Sequence, residues 1–266
     1  MIERDIRNKI LNRYSDKEEK IFVSNLIGLI NKFLINDYIV HTKFLNLNEK
    51  SIAISILNYL NVNYKIYENN EYSEKVVIFL IPEYLKNEEI YSNYITCLKV
   101  IPSVKNKLLH KDYMGSIYSL GITDENIGDI FLKDSNAYFF IFNENLDYFK
   151  YNLSYVGRIS VKLEFIDINK DEIKDLKIDY NSININVLSL RVDIILAEIY
   201  NLSRNEVKNK IENGDLFINS KQVYFIAENV KENDIISFKR CGKIKVGNII
   251  GNTRSGKIIL NVKKYI

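Results

Sequence analysis

Only two cysteines occur in the 266 residues, Cys97 and Cys241. They lie far apart, so the chain offers neither a disulfide framework nor a cysteine-based metal motif. Histidine is equally scarce: His41 and His110 have no Cys or carboxylate at ligand spacing, which argues against a metal centre. His110 is read instead as orienting the start of a helix. Tryptophan is absent. No apolar run approaches the roughly 18 residues of a membrane span; the longest apolar stretch, 21–35, is interrupted by Ser24, Asn25, Asn31 and Lys32. The opening MIERDIRNKI is charged and has no apolar centre, unlike a secretory signal. There is no Gly-rich dinucleotide motif and no Ser nucleophile elbow. The string GNTRSGK, 251–257, stops short of a P-loop, because Ile258 stands where a Ser or Thr hydroxyl holds magnesium. Its flanks alternate like two strands, so it is read as a hairpin turn. The expectation is a cytoplasmic, monomeric protein with no cofactor, no metal and no membrane partner.

The charge that is present is unevenly placed. From Leu188 onward there are 14 Lys/Arg and 8 Asp/Glu, a net of +6, which leaves the preceding residues at −3 within the total of +3. Between Ile235 and Ile266 there are eight basic residues and no acidic one. Local positive potential of this kind attracts a phosphate backbone. Apolar residues at 47% and charged residues at 27% are ordinary globular values. The abundance of Asn, Ile, Lys and Tyr is read as the codon bias of an AT-rich genome.

Periodicity predicts an α+β chain. Apolar residues at Phe22, Leu26, Leu29, Ile30 and Phe33 mark a helix over 21–34. A second is expected over 48–60 with Asn48 as its cap. Strands are expected at 38–44 and 62–67, making a small α/β domain over 1–74. The middle, 75–168, reads as a mixed RRM-like or ferredoxin-like domain. Its strands are expected at 76–81, 94–101, 130–132, 137–142 and 158–166, and its helices at 111–120 and 145–153. The aromatic run Tyr138, Phe139, Phe140 and Phe142 is read as core, because the full RRM aromatic signature is absent. The polar stretch 167–186 is expected to link this domain to a third, 184–266. In that third domain an amphipathic helix is expected over 188–199. Ser203 caps the next helix with Glu206 three residues on, a capping box. That helix ends at Gly214, and a strand over 216–219 turns at Ser220 and Lys221.

This C-terminal arrangement resembles the RNA-binding domain named after the small-subunit ribosomal protein S-four: two helices plus a small sheet. The landmarks are Leu190-Arg191-Val192-Asp193, Ser203-Arg204, Gly214 through Asn219-Ser220-Lys221, and Asn233-Asp234-Ile235-Ile236. Ser220 and Asn233 stand where the pattern has glycines. The resemblance implies that Arg191, Ser203, Arg204, Lys208 and Lys221 face RNA. The basic tail adds Lys239, Arg240 and Lys243 to the expected RNA-binding set.

The segment HKDYMGSIYSLGITDENIGDIF, 110–131, and the later NLSYVGRISVKLE, 152–164, resemble the YlmH family. Its members carry the same C-terminal domain after an RRM-like middle and a small N-terminal domain. Here Lys111 replaces the usual Arg, and Thr123-Asp124-Glu125-Asn126 replaces a basic stretch. The resemblance implies a non-catalytic protein that binds ribosomal RNA and tRNA on the large ribosomal subunit, in quality control of stalled peptidyl-tRNA complexes. The rival readings are an RNA-modifying enzyme such as a pseudouridine synthase, or a division-associated interaction protein. Only about 30 residues follow the S-four-like pattern, too few for a catalytic fold.

Overall fold

The computed structural model describes residues 1–86, 88–104 and 108–265. They form two compact units, Met1–Lys177 and Ile178–Ile266; residue 266, the end of the expected third domain, lies outside the described residues.

In the first unit, helices α1 (Arg4–Leu11), α2 (Lys17–Asn36) and α3 (Leu47–Tyr59) pack with β1 (Val40–His41), β2 (Tyr64–Tyr67) and β3 (Val77–Leu80). The expected strand 38–44 contracts to two residues. The cap of α3 is Asn46, not Asn48: Asn46 and Glu49 exchange the reciprocal hydrogen bonds of a capping box, while Asn48 donates to Glu19. The sheet order is β1-β3-β2, all antiparallel. Thus β3, assigned from sequence to the middle domain, is the central strand of the N-terminal sheet, and the boundary expected at 75 falls inside that sheet. Its four residues are fully buried. A strand apolar on both faces needs cover on both sides, which accounts for the unbroken Val-Ile-Phe-Leu run.

The same unit continues with β4 (Ile95–Pro102), α4 (His110–Ser119), β5 (Ile127–Lys133), β6 (Asn136–Phe142), α5 (Leu146–Asn152), β7 (Tyr155–Val156), β8 (Ile159–Ile166) and the short α6 (Asp171–Lys174). The antiparallel order is β5-β6-β4-β8-β7. Without the short β7, this is the βαββαβ arrangement of ferredoxin-like and RRM folds, with β4 and β6 central. One face, with Leu98, Val100, Ala137, Phe139 and Ile141, packs on Tyr113, Ile117 and Phe149 of the helices. On the other face, Phe142 stacks on His41 with ring centroids 4.8 Å apart and meets Phe44 at 4.6 Å, and Phe140 meets Tyr67 at 6.0 Å. The aromatic run is therefore core, as its sequence implies. The face that stacks bases in an RRM is covered here by the N-terminal sheet.

The Ile127-Gly128-Asp129-Ile130 stretch joins the two sheets. The Asp129 carboxylate accepts from the Glu74 and Lys75 amides at 2.9 and 3.0 Å. Asp124 pairs with Lys75 at 2.8 Å and Glu125 pairs with Lys43. The acidic departure at 124–125 thus makes ion pairs inside the unit. Burial is the main cause that pushes the Asp129 pKa up to about 6, against the lowering effect of its two amide donors. A carboxyl whose native pKa lies above its unfolded value stabilises when protonated. That contribution is full below about pH 4 and is lost as pH rises through about 6. The stability advantage of the parent over Asp129→Asn should therefore shrink from pH 4 to pH 7, by at most about 3 kcal/mol. Urea unfolding across that range checks it; an advantage that grows with pH would contradict it.

The second unit holds β9 (Tyr180–Val187), α7 (Val192–Tyr200), α8 (Arg204–Glu212), β10 (Leu216–Ile218), β11 (Lys221–Gln222), β12 (Ile235–Phe238), β13 (Gly242–Asn252) and β14 (Ile258–Tyr265). The expected linker is corrected here: it contains α6 and most of β9, which pairs with β14 over eight positions. The unit begins at Ile178, not 184. One face of its six-stranded sheet packs on α7 and α8 through Leu216, Ile236, Phe238, Ile244, Val246 and Val262. The GNTRSGK string is a hairpin turn between β13 and β14. Among the described residues, no helix is long and apolar enough to cross a membrane.

Candidate nucleic-acid interface

Helix α8 begins as its sequence requires. Ser203 Oγ accepts from the Glu206 amide at 3.2 Å, and Glu206 accepts from the Ser203 amide at 2.8 Å. The Ser203 hydroxyl and its backbone amide, both donating to the Glu206 carboxylate, hold its pKa below the usual value. Glu206 is thus turned back into the cap. Arg204 and Lys208, one turn apart on α8, are both exposed. Lys208 also lies 3.8 Å from Glu212, an exposed contact of little energetic weight. Ser203, expected to face RNA, has this capping task in the fold.

Helix α7 starts at Val192, four residues later than expected, because Arg191 and Leu190 are tied to the loop before β12. The Val192 amide donates to the Glu228 carbonyl at 2.8 Å, and the Val230 amide to the Leu190 carbonyl at 3.0 Å. Arg191 donates twice to Asp193, Nε to Oδ1 at 3.0 Å and a terminal nitrogen to Oδ2 at 2.9 Å. The Asp193 side chain is 9% exposed, the Arg191 side chain 42%. Asp193 therefore fixes the guanidinium at the helix start, with two of its five N–H donors used. Sequence reasoning misses this anchoring role, although a carboxylate two residues from the Arg is its visible signal.

Lys221 follows a two-residue hairpin turn in which Asn219 and Ser220 have φ of 50° and 66°. Both central residues left-handed is the type I′ geometry that twists with the strands. Asn233 has φ 72°. The two positions where the S-four-like pattern carries glycine are thus left-handed here, and asparagine tolerates that backbone better than serine. Asp234 accepts from the Asn219 side chain at 2.8 Å and the Lys231 amide at 2.7 Å. The late Asn-Asp landmark therefore pins this turn.

Lys239 and Arg240 lie in the β12–β13 turn beside the end of α8, where Lys239 donates its amide to the Asp215 carbonyl at 3.0 Å. Lys243 is placed differently. Its neighbour Ile244 points into the core under the helices, and Lys243 lies over the Tyr265 ring at 5.3 Å. The expected residues therefore do not share one surface: Arg204 and Lys208 lie on α8 and Arg191 at the start of α7, whereas Lys243 lies on the opposite side of the sheet from the helices. Among the described residues, no group of three or more His, Cys, Asp or Glu side chains could hold a metal ion.

In the first unit, an open groove of about 850 Å³ lies between α4, the end of α5 and the β7–β8 turn, with Lys111 and Arg158 in its lining. The 110–131 motif builds its wall. Asp112 accepts from the Leu109 amide at 2.8 Å, and Ser116 Oγ accepts from the Gly157 amide at 3.1 Å.

Three comparisons with known proteins bear on this architecture. The family model described as "Putative RNA-binding domain in YlmH" matches residues 94–170. The chain is 23% identical over 220 residues to the "Ribosome-associated protein quality control protein P2" of Bacillus subtilis (strain 168), covering 81% of this chain and 83% of that protein. A solved structure, "Cell division protein ylmH from Streptococcus pneumoniae", superposes with a TM-score of 0.51 at 21% identity. It covers 62% of this chain and 98% of its own.

Proposed function

We propose that this chain, similar to the YlmH family in its 94–170 stretch and to the Bacillus relative over most of its length, is a non-catalytic, cytoplasmic member of that family that grips structured RNA on the ribosome through its Ile178–Ile266 unit. The observation that carries this reading is the start of α8. Arg204 and Lys208 are exposed there one turn apart, and the nearby acid, Glu206, is folded back into the cap. A phosphate at this helix start meets two cations and the positive end of the helix dipole together. Affinity then comes largely from phosphate contacts, and specificity from the shape of an RNA helix or junction. Ribosome association and a place in protein quality control are supported by the name of the Bacillus relative. The finer reading is that this unit is an S-four-type domain that binds ribosomal RNA and tRNA on a large subunit holding stalled peptidyl-tRNA.

Arg204→Ala should weaken binding to ribosomal subunits about tenfold or more, since a charge-assisted hydrogen bond contributes roughly 1.5–3 kcal/mol. The salt dependence should also flatten, by about 0.9 in log–log slope for each phosphate the variant no longer neutralises, taking the duplex DNA figure as a guide. Arg4→Ala, on α1 of the other unit, is the control. Sedimentation with subunits at several salt concentrations decides the matter, with circular dichroism to check the fold. Binding by Arg204→Ala and Lys208→Ala that matches the parent at every salt concentration sinks the helix-face assignment.

A further inference from the structure

The helices cover only one face of the second unit's sheet. The register fixes what the other face displays. Ser237 lies opposite both Phe217 and Lys243, Lys245 lies opposite Lys263, and Tyr180 lies opposite Tyr265. Residues directly opposite on neighbouring strands share a face, and so do residues two apart on one strand. Phe217, Lys243, Lys245, Lys263, Tyr180 and Tyr265 therefore lie on one surface, on the side away from Ile244, Val246 and Val262. All are partly or fully exposed.

Two features make this surface unusual for an uncovered sheet. None of the six strands contains an acidic residue. Its cations also stand over its rings: Lys239 over Phe217 at 4.9 Å, Lys243 over Tyr265 at 5.3 Å and Lys263 over Tyr180 at 5.8 Å. Tyr180 and Tyr265 meet edge to face at 5.0 Å. Lysines interleaved with aromatic rings along a groove or sheet are what single-stranded nucleic acid requires, because bases stack on the rings while phosphates meet the cations. A duplex hides its base faces and has no use for the rings. An exposed ammonium–ring contact is also weaker than a base–ring stack, so an entering base displaces the ammonium, which is then placed to meet the adjoining phosphate.

We propose that this open sheet face is a second RNA-binding surface, specific for unpaired nucleotides, on the opposite side of the unit from Arg204 and Lys208. It deepens, and rests on, the reading of Ile178–Ile266 as an RNA-binding unit. One unit would then hold an RNA helix on its helices and a neighbouring single-stranded segment on its sheet.

The test uses the full chain and two probes, an unstructured oligouridylate and an RNA hairpin without a long loop, with binding read by fluorescence anisotropy. The Lys245→Gln/Lys263→Gln variant should bind oligouridylate at least about fivefold more weakly, with its log–log salt slope reduced by about 0.7 for each phosphate left unneutralised. Tyr265→Leu, which keeps an apolar side chain but removes the ring, should cost at least about fivefold on oligouridylate, at little change in salt slope. Both should bind the hairpin like the parent, whereas Arg204→Ala should lose the hairpin and keep the single strand. The double lysine variant changes only surface charge, so it keeps the test valid if Tyr265→Leu folds poorly. If the sheet variants bind oligouridylate like the parent while Arg204→Ala loses the hairpin, the sheet proposal fails and the helix reading stands. If no variant affects either RNA, both fail. Binding of poly-glutamate that the lysine substitutions abolish and oligouridylate does not compete for would assign the face to an acidic protein instead and overturn the proposal.

Discussion

Arg191→Ala is expected to lower folding stability and RNA affinity together. The Asp193 carboxylate is almost fully buried and its described partner is the Arg191 guanidinium, which donates to it twice. Removing the Arg leaves that carboxylate without this partner in a site water barely reaches. Breaking a fully buried pair costs about 3–5 kcal/mol; because the Arg191 side chain is 42% exposed, we expect about 1.5–3 kcal/mol here. Arg191→Ala/Asp193→Ala removes the stranded charge along with the cation and should recover most of the stability. It should recover none of the affinity if the remaining N–H donors of Arg191 face phosphate. Urea unfolding and RNA binding on the same preparations separate the two effects. Full stability in the single variant would show that the pair is unimportant to the fold, and restored affinity in the double variant would remove Arg191 from the RNA face. Arg191, expected from sequence to be a surface contact, is thus also the ion partner of a nearly buried carboxylate.

Gly128→Ala is expected to destabilise the first unit by about 1–3 kcal/mol, the usual range for overpacking a filled site. A methyl at this position would lie 2.9 Å from the Phe140 Cβ and 3.0 Å from the Phe44 ring. The Phe140 Cβ is held by its own strand, and Phe44 is wedged against Phe142, so neither gives way cheaply. Gly28, inside α2, is the counterpart: nothing lies within 4 Å of an added Cβ, and its backbone is helical. Gly28→Ala should stabilise by roughly 0.5–1 kcal/mol through the lower unfolded-state entropy and better helix propensity of alanine. Opposite signs in thermal unfolding are the expected result. A neutral Gly128→Ala would mean that the two sheets can separate at this point without cost. The glycine matters because it lets the β5 backbone close on the N-terminal sheet, where the adjacent Asp129 takes the Glu74 and Lys75 amides. The 110–131 motif thus works in the fold, joining sheet to sheet through Gly128 and Asp129 and helix to hairpin through Ser116.

The features legible from sequence are those whose cause is local. The capping box at Ser203 and Glu206 needs four consecutive residues and forms as its pattern predicts. The β13–β14 hairpin is legible because alternation on both sides of a turn is a short-range signal. The burial of Tyr138, Phe139, Phe140 and Phe142 is also legible, since a run apolar at every position has no face to give to solvent. Charge asymmetry is a count, and it points to the C-terminal unit without any coordinate. The strand β9 escapes notice although Ile183, Ile185 and Val187 alternate with polar residues; its asparagines and serine look like a linker until β14 supplies the partner.

What tertiary structure alone decided depends on contacts far apart in sequence. An apolar run such as Val77–Leu80 does not say which sheet will bury it, and here the partners are β1 and β2. A stretch with the same βαββαβ order as an RRM does not say whether its aromatic face is open; the packing of His41, Phe44 and Tyr67 closes it. Basic residues in one segment do not say which surface they share. That depends on the pleat: a shift of one residue in the pairing of β13 would send Lys243 and Lys245 into the core and Ile244 into water. The apolar half of each strand therefore chooses the register, and the register, acting over the whole sheet, places the cations.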